Sequence, residues 1–194
     1  NSLLSKNKIN ADAVKQDELE QISTLSSPNE VLAICHYFEH KKWQVNFNSQ
    51  ISFYLDNIRD PGNLGTIIRL CSWFGISDLF CSPGTVELYN SKCIQASMGA
   101  FYKVNVHYLP INTLIEKEKI KNIYATLLSG SNIYKEKIIN GLIIIGNEAN
   151  GISEEVQQVC TKKITIPSAD NSTESLNAAI AASIIASEHF RNKF

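Results

Sequence analysis

The hydrophobic positions gather into short runs, each followed by a longer stretch of mixed polarity. Runs at 51–55 (ISFYL), 77–81, 104–108, 122–127, 142–146 and 163–166 predict strands. Segments at 64–74, 92–99, 111–119 and 152–160 predict helices between them, and a last helix is expected over 175–190. Leu142 to Ile145 is uninterrupted and apolar, the signature of a strand buried on both faces. Strands alternating with helices predict an α/β domain with a mostly parallel sheet flanked by helices. Upstream, 12–24 reads as a short polar helix with few core contacts. Residues 31–38 (VLAICHYF) read as a strand, and 41–50 as a linker without clear period. No internal repeat or low-complexity segment interrupts this order.

Composition narrows the class. The chain has 194 residues, 44% hydrophobic and 19% charged, room for one full domain and part of a second. That excludes a disordered or disulfide-stapled chain. No apolar run reaches membrane-spanning length, and no secretory leader pattern is present. The chain opens on Asn1 and its one Met is Met98, so a piece of a longer protein is expected. The net charge of −1 offers no basic surplus for nucleic acid, although a local patch can sit within a neutral average. Arginine is scarce: Arg59, Arg69 and Arg191, the first two within one eleven-residue stretch. Arginine suits bidentate phosphate or carboxylate contact, which marks that stretch. Five cysteines (Cys35, Cys71, Cys81, Cys93, Cys160) with no C-x-x-C read as buried free thiols in a reducing cytoplasm.

In a parallel α/β sheet ligands bind beyond the carboxyl ends of the strands. Three segments there carry chemistry. In the first, Asp56 to Arg69, Asp60-Pro61-Gly62-Asn63 is a tight turn, with Asn63 placed to cap the following helix. Arg69 then stands among Leu64, Ile67, Ile68 and Leu70, either lining a cleft or pairing with Asp56 or Asp60. In the second, Gly146 ends the buried strand and Glu148 follows it. Its carboxylate meets a ligand or an arginine, or complements the dipole of the next helix. In the third, Ile166-Pro167 leads through a polar loop to Glu174-Ser175-Leu176-Asn177 and a helix of small residues, AAIAASIIAS, suited to close packing inside the fold or across a dimer.

Other patterns carry little. His36-Tyr37-Phe38-Glu39-His40 matches a zinc-peptidase spacing, but it follows strand-like sequence that would not converge its histidines. His107 and His189 are isolated and read as surface or core filler. Dinucleotide, phosphate-loop and nucleophile-elbow glycine motifs are absent. No metal site is expected.

Together the three segments resemble the motifs of the SpoU (TrmH-type) branch of the SPOUT RNA methyltransferases. Asn57 to Arg69 is similar to Asn-x-x-Asp-Pro-x-Asn-x-Gly-x-x-x-Arg, Gly146 to Gly151 to Gly-x-Glu-x-x-Gly, and Ile166 to Asn177 to Ile-Pro…Glu-Ser-Leu-Asn. The order and approximate spacing match. The departures are Ser168 where the family often has Met, a loop from Pro167 to Ser175 one residue longer, and Ala178-Ala179 in place of Val-Ser. The resemblance covers about 51–194, and 1–40 look like the end of a small RNA-recognition domain, so a partial N-terminal domain is expected. It implies a C-terminal trefoil knot, S-adenosylmethionine as cofactor, rRNA or tRNA as substrate, a homodimer, and methyl transfer to a ribose 2′-hydroxyl. It implies Arg69 as catalytic arginine, with Asn63, Glu148, Ser175 and Asn177 completing the polar set. Thr126, Leu127, Gly146, Ile166 and Leu176 would lie against the cofactor, held largely by backbone. The alternatives are a catalytically inactive RNA- or cofactor-binding module, and methylation of a base.

Overall fold

The computed structural model describes residues 6–7, 10–23, 25, 27–38, 42–169 and 175–193. The chain divides into two compact units, 1–39 and 40–194.

In the first unit, α1 (Gln16–Ile22) forms within the expected segment. The Glu18 carboxylate accepts from Lys15 N at 2.8 Å, satisfying a free amide at the helix start. Leu19 is buried at 6% exposure, a burial that the polar sequence around it conceals. Residues 31–38 depart from the expected strand. VLAICHYF forms no strand and is exposed throughout. Its composition suits a pleated surface, but among the described residues no neighbouring strand takes up its backbone groups. Cys35 is accordingly exposed rather than buried. His36 is exposed too, while Glu39 and His40 of the zinc-like spacing lie outside the described residues.

The second unit is built on a six-stranded sheet of β1 (Ile51–Asp56), β2 (Asp78–Cys81), β3 (Asn105–Tyr108), β4 (Ile123–Asn132), β5 (Gly141–Gly146) and β6 (Lys162–Thr165). The order is β3-β2-β1-β5-β4-β6, with every strand pairing parallel. The helices are α2 (Pro61–Trp73), α3 (Ser91–Ser97), α4 (Ile111–Glu118), α5 (Glu154–Gln158) and α6 (Ala178–Phe190). Strand alternation sorts the core into two layers. Phe53, Leu55, Ile143 and Ile145 face one way, onto Ile67, Ile68 and Cys71 of α2 and Ala182 and Ile185 of α6. Tyr54, Leu142 and Ile144 face the other way, onto Ile111 and Leu114 of α4 and Val156 of α5. Residues 43–47, expected as linker, pack on this second layer: Phe47 is buried, and the Trp43 ring meets Phe80 edge-on at 5.7 Å.

Helix starts differ from expectation for local reasons. Helix α2 begins at Pro61 rather than 64, and its cap is Asp60, not Asn63. Pro61 has φ preset for the first helical position, and the residue before a proline prefers the extended backbone a cap needs. Asp60 accepts from Asn63 N at 2.7 Å, which leaves the Asn63 side chain free for other work. Helix α6 begins at Ala178, capped by Asn177 Oδ1 accepting from Ala179 N and Ile180 N at 2.9 and 3.2 Å. Gly65 lets α2 and α3 touch: a Cβ there would lie 2.5 Å from the Cys93 carbonyl oxygen. The isolated histidines are structural and bonded, His107 Nε2 to Asp78 Oδ1 at 2.9 Å and His189 Nδ1 to the Ile138 carbonyl at 2.8 Å. Among the described residues no helix is long and apolar enough to cross a membrane.

Candidate active site

Strands β1 and β5 are adjacent and in register, Asp56 opposite Gly146. Their carboxyl ends therefore release two loops side by side, 57–60 and 147–151. This is where the strand order reverses direction, the usual place for a ligand crevice. The β5 loop folds back on itself: Asn147 and Gly151 exchange backbone hydrogen bonds at 2.9 and 2.8 Å. Gly146 is required by that closure, since a Cβ would meet the Gly151 carbonyl carbon at 2.4 Å. Asp56 ties the next segment to the same place, its Oδ2 accepting from Ser153 N at 2.7 Å.

Glu148 leaves this loop exposed and accepts a hydrogen bond from Asn63 Nδ2. Asn63 Oδ1 in turn accepts from Asn177 Nδ2 at 2.9 Å. The three motifs thus meet in one chain of side chains, 85 residues apart at the first link and 114 at the second. Glu148 consequently does not serve the dipole of α5, which starts at Glu154.

Arg69 is exposed on α2. It stands about 9 Å further along the axis than Asn63 and about 120° around it. It makes no ion pair among the described residues: Asp60 caps α2, and Asp56 is taken up by Asn57 and Ser153. The structure therefore does not place Arg69 against Glu148, Asn63 or Asn177; it shares α2 with Asn63 alone and is exposed to solvent. Ser175 is exposed two residues before Asn177, and Glu174 of the third motif lies outside the described residues.

The expected cofactor residues lie on β4, at the end of β5, after β6 and just before α6. Thr126 donates its hydroxyl to the Ile144 carbonyl at 2.7 Å, so the side chain is spent within the fold. After it, β4 departs from its pairing with β6 and rejoins at Ser131, which sits opposite Ile164 as Thr126 does. The excursion carries Leu127, half-buried, and Leu128, 79% exposed. Ile166 is half-buried after β6, and Leu176 is 45% exposed before α6. Leu128 and Asn147 also stand on these loops, and neither exposure nor bonding of the two is legible before the loop geometry is known.

Other reactive groups are quiet. Burial pushes the Cys71 and Cys81 thiols well above their ordinary range, and the Cys93 and Cys160 thiols up to about 11, which leaves them protonated at neutral pH. Among the described residues no three His, Cys, Asp or Glu gather as metal ligands.

The profile of the SpoU rRNA methylase family matches residues 50–187. The chain belongs to the SpoU rRNA methylase family. This SpoU chain is 25% identical over 176 residues to the 23S rRNA (guanosine(2553)-2′-O)-methyltransferase RlmP of Bacillus subtilis, covering 89% of the chain and 69% of the relative. It is 31% identical over 114 residues to the mitochondrial rRNA methyltransferase 3 of Homo sapiens, covering 56% of the chain but only 26% of that protein. Among solved structures, a TrmH-family protein from Porphyromonas gingivalis superposes with a TM-score of 0.75 at 31% identity, over 89% of this chain and 70% of that one. An AdoMet-bound rRNA methyltransferase from Sinorhizobium meliloti gives 0.67 at 28% identity, over 75% and 57%.

Proposed function

We propose that the SpoU chain transfers a methyl group from S-adenosylmethionine to a ribose 2′-hydroxyl of rRNA or tRNA. The observation that carries this reading is the hydrogen-bonded line Glu148–Asn63–Asn177, which brings all three motifs to the carboxyl edge of β1 and β5. Relatives named as rRNA methyltransferases, one of them a 2′-O-methyltransferase, support it.

The residues fit the cofactor's chemistry. Leu127, Ile166 and Leu176 offer apolar, partly open surface beside polar backbone, as an adenine and a thioether require. Thr126 is already bonded within the fold, so recognition there falls to the main chain and not to its hydroxyl. When bound, S-adenosylmethionine supplies a methyl group activated by the sulfonium charge. The protein's task is to orient the hydroxyl and stabilise the charge that develops on it. A guanidinium is a fixed cation, so Arg69 serves as a charge and not as a base. It grips the phosphate beside the target ribose and polarises the hydroxyl, whose proton passes to that phosphate as the oxygen takes the methyl group. Glu148 fixes Asn63, Asn63 fixes Asn177, and Ser175 with Asn177 positions the ribose.

The remaining assignments belong to the same reading. Trp73 on α2 is 83% exposed, and Leu176 and Ile180 at the start of α6 are 45% and 51% exposed, apolar surface that supports a homodimer through these two helices. A C-terminal trefoil knot belongs to the same proposal; α6 packs with α2 in one shared core. Residues 1–40 belong to an RNA-recognition domain and 51–194 to the methyltransferase domain, onto whose core 43–47 pack; the separation of unit 1–39 supports this division. Free thiols agree with a cytoplasmic protein.

The experiment is incubation of the protein with unmodified total RNA and methyl-labelled S-adenosylmethionine. Label in acid-insoluble RNA is the expected result. Cofactor binding without transfer favours the alternative, an inactive binding module.

A further inference from the structure

We propose that Asn147 is a positioning residue that sets Glu148, and through it Asn63 and Asn177, in the reacting arrangement. The inference rests on the reading of Glu148 as a site residue. The Asn147 side chain uses both of its ends. Its Nδ2 donates to the Asn57 carbonyl at 2.8 Å. Its Oδ1 accepts from Ala149 N at 2.9 Å and from Asn150 N at 3.1 Å.

These bonds do different things. The two accepted bonds wind residues 147–150 into a turn around one oxygen, with Glu148 at its first corner. The donated bond ties that turn to the loop after β1. The acceptor it uses is available because Asn57 holds a positive φ of 55°, with its own amide donating to Ser82 Oγ at 2.9 Å and its side chain to Asp56 Oδ1 at 2.9 Å. Asn147 backbone is also closed onto Gly151. So the β5 loop is fastened to itself and to the β1 loop through one residue, which places the Glu148 side chain where Asn63 reaches it.

No shorter side chain reproduces this. Alanine removes all three bonds. Aspartate keeps the acceptor but turns an oxygen toward the Asn57 carbonyl, replacing attraction with repulsion. Serine can accept from the turn amides but lacks the reach to Asn57.

The test is a double-mutant cycle read by methyl-transfer kinetics. Asn147→Ala is expected to lower kcat at least tenfold while the Kd for S-adenosylmethionine changes less than threefold. In the Glu148→Gln background the same substitution is expected to lower kcat less than twofold, because the position it guards has lost its charge. Asn147→Asp, which preserves volume and the turn, serves if alanine impairs folding, and is expected to show the same kcat loss. A second readout needs no RNA: the Asn63 side-chain amide resonances in NMR spectra of the ligand-free protein are expected to shift in Asn147→Ala. Equal losses in both backgrounds, a loss confined to cofactor affinity, or unchanged Asn63 resonances would overturn the proposal. A wild-type protein that fails to methylate RNA, with Asn63 resonances that still shift, leaves the positioning intact and defeats the functional reading instead.

Discussion

Asn177 Nδ2 donates to Asn63 Oδ1 at 2.9 Å, joining the residue before the last helix to the first turn of α2. The same Asn177 side chain caps α6 with its oxygen. One amide thus holds a helix with one end and a site residue with the other, and the two roles can be separated chemically. Asn177→Asp keeps a good cap but replaces the donor facing Asn63 with an oxygen. It is expected to retain the wild-type melting temperature within about 2 °C while kcat falls at least tenfold. Asn177→Ala loses the cap as well, at about 1 kcal/mol of stability. Thermal melts beside initial rates separate the two; equal activity in wild type and Asn177→Asp would remove Asn177 from the site.

Arg69 has no ion pair among the described residues, so its charge is available for a ligand. Lysine keeps the charge but loses the planar fork that grips a phosphate through two hydrogen bonds. Arg69→Lys is expected to lower single-turnover methyl transfer by more than tenfold, with little change in melting temperature because the side chain is exposed. A near-normal rate would rule out bidentate contact.

Gly65 is expected to tolerate no side chain. A Cβ would press on the Cys93 carbonyl oxygen, the Ala96 Cβ and the Ser97 amide, all within 2.9 Å, and two helices would have to part. Gly65→Ala should destabilise the fold by about 1–3 kcal/mol, read from urea denaturation. An unchanged midpoint would show that α2 and α3 can slide.

Stability should fall as pH drops below neutrality, and His189 is one cause. Burial holds its imidazole below the ordinary 6.5, and the Lys193 ammonium pushes the same way, against the Ile138 carbonyl hydrogen bond. A base whose folded pKa is depressed binds fewer protons folded than unfolded, so its contribution is complete above about 6.5 and is lost as pH falls from there through the lower folded value. Wild type is expected to lose more melting temperature between pH 7.5 and 5 than His189→Gln. Parallel curves would assign the loss to other groups.

Much of this architecture is legible in the chain because burial on both faces leaves an unmistakable run: Leu142 to Ile145 could be little else. The site residues are legible only as motifs, since Asn63, Glu148 and Asn177 are brought together across 85 and 114 residues by sheet order. Helix caps are not. Asp60 and Asn63 are equally good capping residues, and the choice rests on Pro61 occupying the first helical position. VLAICHYF misleads because strand formation needs a partner that local sequence does not reveal. The length of β4 is likewise hidden, because Ser131 and Asn132 rejoin the ladder only after the Leu127–Gly130 excursion.

The most direct measurement is digestion of the labelled RNA to nucleosides, followed by mass spectrometry of the modified product. The label is expected on a ribose, as a single 2′-O-methylnucleoside whose yield falls more than tenfold when Arg69→Lys replaces wild type. Label on a base would contradict the assignment of Arg69, Ser175 and Asn177 to the ribose, and would move the reaction to another acceptor atom.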